Sequence, residues 1–266
     1  MTSRHETAFM IITDLDGSLL DHRHYDWVAA ESCLCQLKNK AIPIVFCTSK
    51  TQSEIEALQR QMGLLGQPYI AENGAILSIN HEIQIISDAA IGLSYPQITE
   101  ILSQIRTTYG FQFIGFHDVD TIQVVQLTGL TLEQARFSQE RIASEPILWK
   151  DTAKNFALFQ QLLVSKQLDL IQGGRFWHVM NAGSHKGAAF NAFMQQELQQ
   201  QRTWKTIGLG DSPNDLSFLE LTDYAVIIRS ALDKTMLLKR KDKHNIYHSQ
   251  YQGPQGWCEG IRHFLL

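Results

Sequence analysis

No proline-, glycine- or serine-rich linker, internal repeat or low-complexity tract interrupts this chain of 266 residues. No run reaches the ~18 apolar residues that a membrane span requires. The first ten residues, with Arg4, His5 and Glu6, hold no long apolar leader. Export and membrane anchoring are therefore not expected. Basic charge is not in excess either, because 23 Lys and Arg against 27 Asp and Glu leave a formal net charge of -4. That balance gives no global attraction for nucleic acid or anionic lipid, so an anionic ligand must be attracted locally. The one basic cluster, Lys239 to His244, is short and broken by Asp242, which fits a solvated face better than a nucleic-acid contact. Cysteine is sparse. Cys33, Cys35, Cys47 and Cys258 show neither a disulfide-dense nor a zinc-ligand pattern, and residues two apart on a helix, as Cys33 and Cys35 are, face different ways. All four are expected to be reduced thiols in a cytoplasmic protein.

What is present is enough apolar material for a core: 44% hydrophobic against 19% charged residues excludes general disorder, and the length lies between one large domain and two ordinary ones. Residues 9–14 read as a first strand, the stripe Ala30, Cys33, Leu34 and Leu37 as a helix, and Ile42 to Cys47 as a second strand. Thr51 and Glu54 form a capping-box signature for a helix that turns Ile55, Leu58 and Met62 inward and stops at Gly63. Pro68 to Ala71 reads as a short strand, and Asn73-Gly74 as a hairpin turn into Ala75 to Ile79.

From about Glu82 to Asn181 the order changes. A helix through Ile98, Ile101, Leu102 and Ile105 precedes the aromatic run Phe111, Phe113 and Phe116. Thr131 and Gln134 cap another helix before Ile147-Leu148-Trp149, and a helix through the 150s precedes strands at Leu168 to Ile171 and Arg175 to Met180. The alternation then resumes with a helix after Lys186, a strand Thr206 to Leu209, a helix opened by Ser212 and Pro213, and a strand Ala225 to Ile228. The expectation is an α/β protein with a Rossmann-like parallel-sheet core over residues 1–81 and 182–266, and an inserted α+β domain over 82–181.

The chemistry-bearing residues stand at strand ends. Asp14 and Asp16 end the first apolar run, alternate side chains of a strand share a face, and Gly17 lets the chain turn away. Two such carboxylates repel unless they share a cation or divide the roles of nucleophile and general acid. Alone, Asp-x-Asp-Gly fits a solvated strand-to-loop turn better than a catalytic pair. It has companions: Thr48-Ser49-Lys50-Thr51 after the second strand, Lys186 at the start of a helical stretch, and Gly208-Leu209-Gly210-Asp211-Ser212-Pro213-Asn214-Asp215 after a later strand. In open α/β sheets ligands collect beyond the carboxyl ends of strands, so Asp14, Thr48 and Asp211 are expected at one crevice.

Asp14-x-Asp16, Thr48, Lys186 and Gly210-Asp211-x-x-x-Asp215 together resemble the four motifs of the haloacid-dehalogenase-like phosphatases. The long insert is similar to the C2-type cap of their sugar-phosphate branch. Cys47 to Thr51, Glu72-Asn73-Gly74-Ala75, the Gly173 to Val179 stretch and Gly208 to Asp215 resemble, within that branch, the mannosyl-3-phosphoglycerate phosphatases, from about Met10 to the Gly253 to Trp257 segment. Ser18 stands where relatives often carry Thr, and keeps the hydroxyl.

The resemblance implies a Mg²⁺-dependent phosphatase acting on a small phosphorylated sugar, with no nucleic acid or membrane partner; it says nothing of oligomeric state. Asp14 would form an aspartyl-phosphate. Asp16 would protonate the leaving alcohol and then activate water. Asp14, Asp16 (through its carbonyl), Asp211 and Asp215 would hold the metal, Asp215 as ligand or as outer support. Thr48, Ser49, Lys186 and Asn214 would bind phosphate, and Lys50, Asn73, Arg175 and His178 the remainder of the substrate. Asn73 reads equally as turn chemistry. Arg175 and His178, expected on one face of a strand as a carboxylate or sugar clamp, read equally as a surface arginine and a packed histidine. His22 and His24 lack metal-ligand spacing, and could lie near the mouth of the site. Rival expectations are a phosphatase for another sugar phosphate or a glucosyl analogue, a phosphomutase, and a catalytically silent binding module.

Overall fold

Short runs of β-branched and aromatic residues alternate with helices whose apolar positions recur every three to four residues, and the computed structural model folds them accordingly. It describes residues 8–22, 24–173, 175–230 and 236–266. In chain order these form β1 (Phe9–Thr13), α1 (Glu31–Asn39), β2 (Ile44–Cys47), α2 (Gln52–Met62), β3 (Tyr69–Ala71), β4 (Ile76–Ile79), β5 (Glu82–Ile85), α3 (Tyr95–Tyr109), β6 (Phe113–Gly115), α4 (Thr121–Thr128) and α5 (Leu132–Gln139). They continue with β7 (Ser144–Trp149), α6 (Ala153–Ser165), β8 (Leu168–Gln172), β9 (Trp177–Asn181), α7 (Lys186–Gln199), β10 (Lys205–Gly210), α8 (Leu216–Leu219), β11 (Tyr224–Arg229), β12 (Ile246–Gln252) and α9 (Gly253–Leu265). Two compact units result: Met1–Thr48, Gln67–Tyr69 and Lys186–Leu266 form one, Ser49–Gly66 and Ile70–His185 the other. The chain is α/β, with a mostly parallel sheet and a further antiparallel one, as expected.

In the first unit the strands run in the order β12-β11-β10-β1-β2, all parallel. β1 and β2 are buried along almost their whole length, as the apolar runs of a parallel sheet covered on both faces must be. The register matters for function. Thr13 pairs with Leu209 of β10 and with Phe46 of β2, so residues just past each strand end emerge at one edge. The Asp14 N–H continues the ladder by donating to the Leu209 carbonyl at 2.9 Å.

In the second unit the antiparallel sheet runs β6-β7-β9-β8. Its core includes Ile98, Leu102, Phe111, Phe159 and Val179, so α3 and α6 bury their apolar stripes as the periodicity required. The capping box of α2 is present: the Glu54 N–H donates to Thr51 Oγ1 at 3.3 Å, the Thr51 N–H donates to Glu54 Oε2 at 2.9 Å, and Gly63 ends the helix at φ 65°.

Three expectations change. Cys33 of α1 and Cys258 of α9 form a disulfide, their Cα atoms 5.9 Å apart, leaving Cys35 and Cys47 as free thiols. Helices 225 residues apart carry no local signal of their pairing. Asn73-Gly74 turns the chain within a single 3₁₀ turn, Glu72–Gly74. The tight hairpin falls one element later, where Asn80 and His81, at φ 51° and 68°, join antiparallel β4 and β5. β9 starts at Trp177, so Arg175 lies outside it, and an offset of three in a strand would in any case put Arg175 and His178 on opposite faces. Four elements, β5, α4, β12 and α9, stand beyond those expected. Of the histidine-arginine stretch, Arg23 lies outside the described residues, as does Gly174 of the Gly173 to Val179 stretch.

Candidate active site

Four of the expected residues meet in the first unit. Lys186, the first residue of α7, is buried, and its Nζ lies 2.6 Å from Asp14 Oδ1 and 2.6 Å from Asp215 Oδ1. Asp14, Asp211 and Asp215 each offer an oxygen within 4.8 Å of the others. The short loop after β10 explains the convergence. Gly210 ends the strand, the Asp211 and Ser212 N–H groups donate to Asp215 Oδ2 at 3.1 and 3.0 Å, and a Cβ on Gly210 would lie 2.6 Å from that of Asp215. Only glycine lets the Asp215 side chain fold back across the strand end. Ser212 Oγ donates to Asn214 Oδ1, so Asn214 braces the same turn.

The β1 end is fixed in the same manner. Gly17, at φ 83°, lets the chain turn after Asp16, and a Cβ there would strike the His22 ring and the Asp211 carboxylate. The Gly17 N–H donates to the Leu20 carbonyl at 2.8 Å, closing the loop. That turn delivers His22, whose Nε2 lies 3.2 Å from Asp211 Oδ2. Sequence reasoning noted His22 without assigning it; no spacing signal links it to a residue 189 positions away. Thr48 follows β2 and is fully buried. Neighbouring Cys47 is a neutral thiol, because burial pushes its titration far up.

Electrostatics make this cluster unusual. Burial raises the Asp14 carboxyl well above the ordinary range against the pull of Lys186, and Asp215, Asp211 and Asp16 push it the same way. Asp211 is also raised by burial, partly relieved by the His22 hydrogen bond. Burial works against the Lys186 charge, yet Asp14 and Asp215 outweigh it and hold the ammonium charged. One cation thus faces several acids. Asp211 Oδ1 is buried and, among the described residues, has no hydrogen-bond partner. An excess of carboxylate plus an orphaned hard oxygen is the donor set a small divalent cation takes.

The remaining expected residues belong to the second unit. The Ser49 carbonyl accepts from Arg141 Nη2 at 3.2 Å, and the Lys50 carbonyl accepts the Glu72 N–H at 2.9 Å. Lys50 Nζ lies 3.7 Å from Glu54. Asn73 is buried at φ 59°. His178 is buried within β9, whereas Arg175 is exposed and donates from Nη2 to the Thr128 carbonyl at 2.6 Å. Arg141, unremarked in the sequence, and Glu72, noted there only within Glu72-Asn73-Gly74-Ala75, are both buried side chains at 3.6 Å. The Glu72 carboxylate also accepts the Ile142 N–H at 2.7 Å and the Ser144 hydroxyl at 2.6 Å.

Parallel strands whose carboxyl ends gather three buried carboxylates around one lysine define an α/β protein with an acidic site at the sheet edge. The family model for haloacid dehalogenase-like hydrolases matches residues 11–238, and the chain belongs to that family. Its fold is similar to a haloacid dehalogenase-like hydrolase from Bacteroides thetaiotaomicron, with TM-score 0.71 and 16% identity over 97% of this chain and 100% of that one. It is similar to a subclass IIB sugar phosphatase of that superfamily, with TM-score 0.66 and 16% identity over 97% and 99% of the two chains. The sucrose-phosphatase of Synechocystis sp. PCC6803, solved with sucrose and phosphate, gives TM-score 0.63 and 17% identity over 97% and 98%.

Proposed function

We propose that the chain is a Mg²⁺-dependent phosphatase for a phosphorylated sugar, with mannosyl-3-phosphoglycerate as the first substrate to test. The observation that carries the reading is Lys186, clamped at 2.6 Å between Asp14 and Asp215 beside an Asp211 oxygen without a partner among the described residues. Asp14 attacks phosphorus and holds the phosphoryl group as an acyl phosphate, which splits one difficult hydrolysis into two steps. Asp16 donates a proton to the departing alcohol and afterwards takes one from water. Lys186 and Thr48 bind the transferring oxygens, where a fixed positive charge stabilises charge that grows in the transition state.

Asp14, the Asp16 carbonyl and Asp211 would hold Mg²⁺, which neutralises phosphoryl charge when bound. Asp215 serves as outer support, since its Oδ1 is taken by Lys186 and its Oδ2 by two main-chain N–H groups. Residues 82–181 form the cap that selects the leaving group. Lys50, Asn73, Arg175 and His178 belong to that selection, with Arg175 assigned to a carboxylate because a guanidinium fork matches one. The sugar phosphatases among the similar folds support a phosphorylated sugar as substrate. A cytoplasmic setting is part of the same proposal. No helix among the described residues is long and apolar enough to cross a membrane, and the Cys33–Cys258 pair is the feature that counts against that setting.

The test is phosphate release with Mg²⁺ from mannosyl-3-phosphoglycerate, its glucosyl analogue and simple sugar phosphates, with Asp14→Asn as control. Preference for the mannosyl ester, lost in the variant, is expected. Broad activity without that preference keeps the phosphatase and discards the substrate; no turnover of any ester overturns both.

A further inference from the structure

A threonine at the buried end of a parallel strand carries a hydroxyl that must find partners, and Thr13, the last residue of β1, finds two. Its Oγ1 accepts the Trp257 indole N–H at 2.9 Å and donates to the Asp14 carbonyl at 2.7 Å. A hydroxyl has one proton. Acceptance from the indole fills one lone-pair direction and leaves the O–H aimed at the Asp14 peptide. The Asp14 main chain is then held at both its carbonyl and its N–H, since the latter already donates to Leu209. The next carbonyl, Leu15, accepts the Ser18 and Leu20 N–H groups at 3.1 and 2.8 Å, so the constraint continues into the loop that carries Asp16.

The donor end is equally fixed. Trp257 is wholly buried, and the helix around it sits at a set depth. A Cβ on Gly256 would strike the Tyr251 carbonyl, and one on Gly260 would lie 2.5 Å from Val226 Cγ1, so α9 lies directly against β11 and the end of β12. Cys258, the next residue, is bonded to Cys33 of α1.

We infer that Trp257 and Thr13 are positioning residues for the nucleophile: a hydrogen-bond chain from the C-terminal helix through the Thr13 hydroxyl orients the Asp14 peptide, and with it the attacking carboxylate. The inference rests on the phosphatase reading of Asp14. Neither side chain touches the reacting atoms. Their effect is on how often Asp14 stands at the attack geometry, which governs kcat, where a misplacement of about 1 Å costs roughly a hundredfold.

The experiment compares full-length wild type, T13V, T13S, W257F and the T13V/W257F pair, each with Mg²⁺ on an aryl phosphate, measuring kcat and KM separately. Near-ultraviolet circular dichroism confirms that each variant is folded. Thr13→Val keeps the shape and removes the hydroxyl. The expected result is a fall in kcat of about ten- to a hundredfold in T13V with KM within about threefold, and recovery to within about threefold of wild type in T13S. W257F is expected to fall less than T13V, and the pair to fall no further than T13V alone, since the two act in series. If T13V does not fold, T13S and W257F decide: kcat near wild type in T13S with a clear loss in W257F supports the chain. T13V turning over within twofold of an active wild type overturns the inference and leaves the phosphatase standing, as does a change confined to KM. A wild type that hydrolyses no phosphate ester overturns both.

Discussion

Asp211 and Asp215 lie side by side in opposite states: Asp215 Oδ2 accepts the Asp211 main-chain N–H at 3.1 Å, while Asp211 keeps a buried Oδ1 with no hydrogen-bond partner among the described residues. One carboxylate is saturated by the fold and the other is held open.

That asymmetry predicts how the two respond to metal. Saturating Mg²⁺ should stabilise the wild type by about 1–3 kcal/mol, as any ligand of the native state does. Chelation should remove the gain, and Asp211→Asn should abolish it. Asp215→Asn should instead cost stability without added metal, because Lys186 and two N–H donors lose their acceptor charge. Thermal melts with and without Mg²⁺ decide; equal melting shifts in wild type and Asp211→Asn would reject Asp211 as a ligand.

Lys186→Met tests the clamp. Removing the lysine between them leaves Asp14 and Asp215 facing each other, and truncating one member of such a cluster costs about 3–5 kcal/mol. Turnover should fall at least a hundredfold or so as charge stabilisation is lost. Unfolding in urea and kcat on an aryl phosphate are the readouts, and a kcat within fivefold of wild type would remove Lys186 from the chemistry.

Glu145 of β7 gives a pH dependence in the second unit. Burial raises its carboxyl from 4.5 to about 7, against the lowering effect of the His117 N–H at 2.9 Å and the Tyr95 hydroxyl at 2.8 Å. Between those two values the folded chain keeps a proton that the unfolded chain releases. The stability tied to Glu145 is therefore complete below about pH 4.5 and lost as pH rises through about 7. Over that interval the loss is about 3 kcal/mol. Comparing the unfolding free energies of wild type and Glu145→Gln at pH 5 and pH 8 isolates the group. The wild type should lose its relative advantage at the higher pH, and a constant difference would show that Glu145 titrates normally.

Much of the site was legible because its residues follow apolar runs at strand ends. Asp14 and Asp16 after β1, Thr48 after β2 and Asp211 after β10 announce themselves by position, and parallel register then brings the ends together. The α2 capping box was equally plain, because both partners lie within one turn. What stayed hidden depends on residues far apart. Trp257 and Thr13 are 244 positions apart, and Glu72 meets Ser144 across 72, with no periodicity to link them. Arg175 was misplaced for a local reason: the strand starts two residues later, after a bend.

The disulfide offers a chemical count. A thiol reagent under denaturing conditions should find two free thiols, Cys35 and Cys47, before reduction and four after it. Reduction should also lower the melting temperature, since a crosslink across so long a loop is worth about 5 kcal/mol in the chain-entropy view. Four thiols before reduction would show that the pair is open in solution.

Cys33 and Cys258 also change what kind of object the chain is, because they are 225 residues apart and the bond turns everything between them into one covalent ring. One protease cut inside the ring linearises it without releasing a fragment. On a non-reducing gel the nicked protein stays in one piece, and only a reductant separates the halves. During synthesis the ring cannot close until Cys258 has left the ribosome. The fold must therefore bring α1 and α9 together unaided, and the bond records that meeting afterwards.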